Sequence, residues 1–100
     1  MPQSANEIPP QCLSVVMPAY NEENTLAEIV KQVLLIPQLL ELVIVDDCSS
    51  DATPQIAQRL AQEDTRINYV RQSTNQGKTA ALKTGFALTR GEIVIVQVQV

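Results

Sequence analysis

Histidine is absent from the 100 residues, which removes imidazole as base, proton shuttle or metal ligand and excludes any Ser-His-Asp triad. Only two cysteines occur, Cys12 and Cys48, without Cys-Xaa-Xaa-Cys spacing. Neither a zinc site nor a disulfide framework is therefore indicated, and both read as small, mostly buried thiols. Long apolar runs are missing as well. The longest cover four residues, such as Val33–Ile36, against the ~20 that a membrane-spanning helix needs, so no transmembrane segment is expected. The opening MPQSANEIPPQ has neither the basic start nor the apolar stretch of a secretory signal, and a cytoplasmic location is the expectation. With 45% hydrophobic and 18% charged residues, the composition is that of a folded chain, and its length is that of one domain or part of one.

The net charge of −4 argues against a nucleic-acid partner, but the charge is unevenly spread. Thr65 to Gly91 holds Arg66, Arg71, Lys78, Lys83 and Arg90 and no acid, whereas Glu22 to Asp51 holds seven acids and one lysine. One stretch suits an anion and the other a cation or polar base, although both also read as solvated helix faces.

Apolar and β-branched runs at Leu13–Met17, Leu42–Val45, Ile67–Val70 and Ile93–Val96 predict four strands. Between them, Leu26, Ile29, Val30, Val33 and Leu34 form the stripe of a helix packed on a sheet, with Asn21 or Asn24 as cap and Pro37 as stop. Thr53-Pro54 predicts an N-cap and first turn for a second helix to about Gln62, with Ile56 and Leu60 inward. A third helix is expected from Gly77 or Lys78 to Arg90, closed by Gly91. Alternating strands and helices with continuous apolar strands imply an α/β fold: a Rossmann-like three-layer sandwich on a parallel sheet of about four strands. The strand at Ile93–Val96 is expected to be buried on both faces. Residues 1–12 read as a flexible tail and residues 13–100 as the folded part.

Ligands of open parallel sheets bind beyond the carboxyl ends of the strands, where this chain carries Pro18-Ala-Tyr-Asn-Glu-Glu23 and Asp46-Asp-Cys-Ser-Ser-Asp51. A carboxylate at the tip of the second strand suits the donors of a nucleoside's base or ribose, Tyr20 offers a stacking face, and Glu22 is a second acceptor. A dinucleotide-binding dehydrogenase would need a glycine-rich first turn, and this turn has no glycine. A P-loop fails similarly, since Lys78 follows a single glycine outside any Gly-Xaa4-Gly-Lys frame.

Three ordered segments, Val15–Glu23, Leu42–Thr53 and Asn75–Phe86, resemble the family 2 glycosyltransferases of GT-A fold, nearest to the dolichol-phosphate mannosyltransferase-like enzymes. The resemblance implies the nucleotide-sugar-binding part of such a domain. The intact family moves a sugar from a GDP- or UDP-sugar to a polyprenyl phosphate or glycan at the cytosolic membrane face. It implies donor contacts from Pro18, Ala19, Tyr20 and Glu22, from Val45, Asp46 and Asp47, and from Lys78 beside the diphosphate. Plainer roles remain open for several of these: Pro18 as strand terminator, Glu22 and Glu23 as helix N-terminal acids, and Lys78 as a solvated first-turn residue.

The chain also departs from the family pattern. Cys48 and Ala52 stand where the family usually has glycine, which would strain the loop wherever a positive φ is needed. Val98-Gln99-Val100 replaces the family's Asp-Ala-Asp, whose second acid coordinates Mg2+ or Mn2+ at the donor diphosphate. Neither valine nor a neutral glutamine carbonyl substitutes for a carboxylate on a hard cation, so the metal site is expected to be absent, with no catalytic residue assigned, and transfer lost. The alternative is a non-catalytic fold fragment that forms a homodimer through residues 92–100.

Overall fold

A computed structural model describes residues 11–97. Four strands, β1 (Leu13–Ala19), β2 (Leu39–Asp46), β3 (Ile67–Arg71) and β4 (Ile93–Val96), alternate with the helices α1 (Leu26–Leu34), α2 (Thr53–Glu63) and α3 (Lys78–Ala87). The sheet is wholly parallel, in the order β3-β2-β1-β4. The chain therefore winds outward from β1 to β3 and returns to the other side of β1. That reversal creates a switch point at the carboxyl end of β1.

Side-chain alternation along β1 and β2 splits the core into two layers. Val15, Met17, Leu42 and Ile44 meet Leu26, Val30 and Val33 of α1 and Ala57 of α2, with Ile56 and Leu60 partly buried at the margin. On the other face Val43 and Val45 meet Ala81 of α3. The expected α/β sandwich is thus present. Gly85 lets α3 lie close to the sheet, because a Cβ there would come within 2.4 Å of Val16 Cγ1.

Several boundaries differ from the sequence expectation for identifiable reasons. Pro18 does not end β1. Val16 O accepts from Gln97 N and Ala19 O from Asp47 N, so Pro18 shares the β4-facing side with Val16. The last β1–β4 pair is Val16 with Val96, and the N–H that proline lacks would face a place β4 has already left. α1 begins after Thr25 rather than at Asn21 or Asn24, with no side-chain cap. α3 stops at Ala87, and Leu88 rather than Gly91 closes it. Gly91 instead lies against β1, donating its N–H to Ser14 Oγ at 2.8 Å.

β4 is not buried on both faces. Among the described residues it stands at the sheet edge, bordered by β1 alone, with Ile93 to Val96 exposed between 38% and 51%. Cys12, assigned above to the tail, is buried, and its carbonyl accepts from Ile93 N at 3.1 Å. Residues 1–10 of that tail, and Val98 to Val100 of the expected dimer segment, lie outside the described residues.

At the amino end of the sheet, the buried Glu41 carboxylate accepts from Ser14 Oγ at 2.6 Å, from Arg90 N and, at 3.2 Å, from the Arg90 guanidinium. Burial pushes its pKa up, but these hydrogen bonds together outweigh it and hold the group below its ordinary value. This cluster ties the segment after α3 to β1 and β2, far from the switch point.

Candidate functional site

Register places the two sequence motifs side by side: Pro18 pairs with Val45 and Ala19 with Asp46. Beyond the strand ends, reciprocal hydrogen bonds fasten the first loop to the second. Asn21 N donates to Ser49 Oγ at 2.9 Å, and Ser50 N donates to Asn21 Oδ1 at 2.9 Å. Glu22 N donates to Thr53 Oγ1 at 2.8 Å, and Ala52 N donates to Glu23 Oε2 at 3.1 Å. Thr53 is therefore not the expected cap of α2. Ala52 takes that position, and the buried hydroxyl of Thr53 holds the first loop instead. The loops form one unit because each satisfies backbone N–H groups the other leaves open.

A cavity of about 100 Å³ opens on this unit. Its wall brings together Pro18, Ala19, Tyr20, Glu22, Asp47 and Lys78, six of the eight residues singled out from the sequence. Ala81, which the sequence reading missed, completes the wall. It follows Lys78 by three residues on α3, so helical spacing alone would have found it. Tyr20 is 47% exposed and presents its ring to solvent. Lys78, also exposed, is the first residue of α3. Its first-turn position and its place in the wall are the same fact.

Val45 and Asp46, expected as donor contacts, do not line the cavity. Both are fully buried. Val45 faces α3 from within the sheet, and the acceptor capacity of Asp46 is taken up internally. Asp46 Oδ1 accepts from Ser49 N at 2.9 Å and Ser49 Oγ at 2.6 Å. Its Oδ2 accepts from Tyr69 OH at 2.7 Å and from Arg71 Nη1 at 3.4 Å. Burial and the bond to the Asp46 carboxylate push the Tyr69 phenol up to about 12, so the hydroxyl stays a donor.

Asp47 points the other way. It is 5% exposed, and its Oδ1 and Oδ2 accept from Gln76 N and Gly77 N respectively, each at 2.8 Å. One carboxylate thus fixes the start of α3, which has no side-chain cap of its own, and forms part of the cavity wall. The contribution of Gln76 and Gly77 was not legible in sequence, since it comes from main-chain groups.

Cys48 adopts φ +64°, the left-handed region the family's glycine serves, whereas Ala52 has φ −82° and is unstrained. A non-glycine residue there costs about 1–2 kcal/mol, offset by the greater unfolded-state freedom of glycine, ~0.5–1 kcal/mol. Cys48→Gly is therefore expected to stabilise the fold by about 0.5–1 kcal/mol in urea denaturation. A loss of stability would show that the half-buried thiol, 3.7 Å from Arg71 Nη2, contributes more than the strain removes.

Among the described residues no group of three acidic, cysteine or histidine side chains stands close enough to hold a metal ion. Asp47 is engaged with main-chain donors. Val98, Gln99 and Val100, where the resemblance led us to expect the loss of the metal-binding acids, lie outside the described residues. No helix among the described residues is long and apolar enough to cross a membrane.

The strand order, the switch point and the cavity define an α/β domain of the Rossmann-like type, with its crevice at the strand ends. Residues 14–97 match the sequence profile described as glycosyl transferase family 2, and the chain belongs to that family. It is 38% identical over 92 residues to an undecaprenyl-phosphate 4-deoxy-4-formamido-L-arabinose transferase of Pseudomonas fluorescens, covering 87% of this chain and 27% of that protein. Staphylococcus aureus TarS 1–349 in complex with UDP superposes with a TM-score of 0.76 at 27% identity, over 86% of this chain and 26% of that one. The mannosyltransferase PcManGT of Pyrobaculum calidifontis, in complex with GDP-Man and Mn2+, superposes with a TM-score of 0.70 at 29% identity, over 96% of this chain and 30% of that one. The neighbouring structures are GT-A glycosyltransferases, and the chain spans about a quarter of the relatives' length.

Proposed function

We propose that this chain forms the nucleotide-sugar seat of a family 2 glycosyltransferase, taking a nucleoside diphosphate sugar whose sugar is destined for a polyprenyl phosphate or glycan. The observation that carries the reading is the meeting of Tyr20 and Asp47 on one cavity at the switch point. In this reading Tyr20 stacks on the base, Asp47 accepts a donor from its edge, Glu22 accepts from the ribose, and Lys78 approaches the diphosphate as a point charge. A cavity of about 100 Å³ is smaller than the ~300–1,000 Å³ of whole-ligand pockets, which suits a seat for the base with the remainder of the donor outside. The names of the relative and the two neighbours support the donor and acceptor classes. With Val98-Gln99-Val100 in place of metal-binding acids, binding without turnover is the expectation for this chain.

Titration with UDP and GDP, followed by amide resonances, tests the reading. Tyr20, Asp47, Gln76 and Lys78 are expected to shift, and saturating nucleotide without shifts there removes it. The exposed apolar residues of β4 favour a second reading, self-association through residues 92–100. Sedimentation as a monomer at all concentrations in the same samples rejects that one.

A further inference from the structure

A strand at a sheet edge presents open main-chain donors and acceptors on every second residue. In β4 the N–H groups of Ile93 and Gln97 point to β1, where Cys12 O and Val16 O accept them. Val94 and Val96 alternate with these, so their N–H and C=O groups face outward and have no strand beside them among the described residues. Both side-chain faces are apolar too. Register sets Ile93 and Ile95 on the side of Leu13 and Val15, and Val94 and Val96 on the side of Ser14 and Val16, and all four are exposed. α3 adds an apolar wall on the second side. Gly85 lies against Val16, and Thr84 Oγ1 donates to Gln72 Oε1 beyond β3. Phe86 stands on the opposite flank of Gly85 from Thr84 by helical rotation, so it leans toward β4, and it is exposed.

An occupant of this edge must supply main-chain groups to the outward residues and apolar side chains to both faces, which a strand does and a helix or a lipid does not. The sequence of β4 itself meets that requirement. Ile93 to Val100 holds no charged side chain and no proline, and so lacks the usual devices that keep edge strands apart. Two copies set antiparallel about a two-fold axis at Ile95 bring Val94 opposite the partner's Val96, and that pair exchanges both main-chain bonds. Ile95 then meets the partner's Ile95 in the closer, non-hydrogen-bonded type of pair, which suits β-branched side chains. Glu92, the nearest charged residue, falls opposite position 98 and away from its own copy. The other sheet edge does not repeat the arrangement, because β3 exposes Asn68 and Arg71. The contact therefore closes at two copies.

We propose that two copies of this chain join β4 to β4 in antiparallel register about Ile95, making one continuous sheet with an α3 from each copy on the same face. The inference rests on the self-association reading given above and deepens it by fixing the surface, the register and the number of copies. An edge of four residues is short, so the dimer is expected to be weak and to dissociate on dilution.

Sedimentation of the full chain at concentrations up to about 1 mM tests the partner, and cysteine variants test the register. An equilibrium between monomer and dimer is expected. Ile95→Lys sets like charges opposite each other and is expected to give a monomer with unchanged circular dichroism. On oxidation Ile95→Cys is expected to cross-link as a dimer. Val94→Cys, placed opposite Val96, is expected to cross-link no more than the wild type, whose Cys12 and Cys48 set the background. Should Ile95→Lys fail to fold, the two cysteine variants decide alone. A monomer throughout removes self-association and this inference with it. A dimer that survives Ile95→Lys, species larger than two copies, or equal cross-linking of the two cysteine variants overturns the strand pairing and leaves self-association standing.

Discussion

Asp47→Ala is expected to lower affinity for UDP by at least tenfold and, in the same molecule, to loosen the first turn of α3. Both effects come from one group. The carboxylate lines the cavity and accepts the main-chain N–H groups of Gln76 and Gly77. Hydrogen bonds to a charged partner are worth about 1.5–3 kcal/mol each, and about 1.4 kcal/mol corresponds to a factor of ten in binding, so one lost contact to the base suffices for the change. Asp47→Asn keeps one acceptor oxygen and is expected to fall between the wild type and alanine on both measures. Calorimetry with UDP reads the first effect, and hydrogen exchange at the Gln76 and Gly77 amides reads the second. If exchange rises while UDP affinity stays within a factor of three, Asp47 is a helix cap and nothing more.

How far these roles are legible in sequence depends on what kind of atom performs them. The strands and helices follow from apolar periodicity, because continuous β-branched runs and a helical stripe leave few other ways to bury Val15, Met17, Leu42 and Ile44 against α1. The position of the cavity follows equally well. A strand-end loop with Tyr20 and another with Asp47 must converge if β1 and β2 are parallel neighbours. Periodicity cannot say which strand lies at an edge, so β4 read as buried when its composition only matched a buried strand. Nor can it separate Asp46 from Asp47. Adjacent residues at a strand end face opposite ways, but which one enters the crevice depends on register with β1 and on Tyr69 and Arg71, more than twenty residues downstream. Thr53 illustrates the same limit. Local pattern assigns it to its own helix, whereas its hydroxyl meets Glu22 N across the loops.

That separation makes Asp46 the position with the greatest expected effect on folding. Its carboxylate is fully buried and joins β2 to two other parts of the chain: the turn at Ser49, and β3 through the Tyr69 hydroxyl and the Arg71 guanidinium. Through Ser49 Oγ the network continues to Asn21 N and hence to the loop that bears Tyr20. Asp46→Ala leaves a buried N–H and the Tyr69 hydroxyl without acceptors, at about 1–3 kcal/mol each, while the half-exposed Arg71 turns to water at little cost. A loss of about 3–5 kcal/mol is expected, comparable with the loss of one member of a buried charge pair. In a domain of this size each 1 kcal/mol corresponds to roughly 4–8 °C in Tm, so the variant should melt at least ~12 °C lower or fail to fold. Tyr69→Phe removes a single donor and leaves Asp46 its other partners, so it is expected to cost less and to stay folded. Thermal melts followed by circular dichroism compare the two. Should Asp46→Ala melt within a few degrees of the wild type, its buried carboxylate would not be what binds the strand-end loops together, and the rigid placement of Tyr20 opposite Asp47 would need another source.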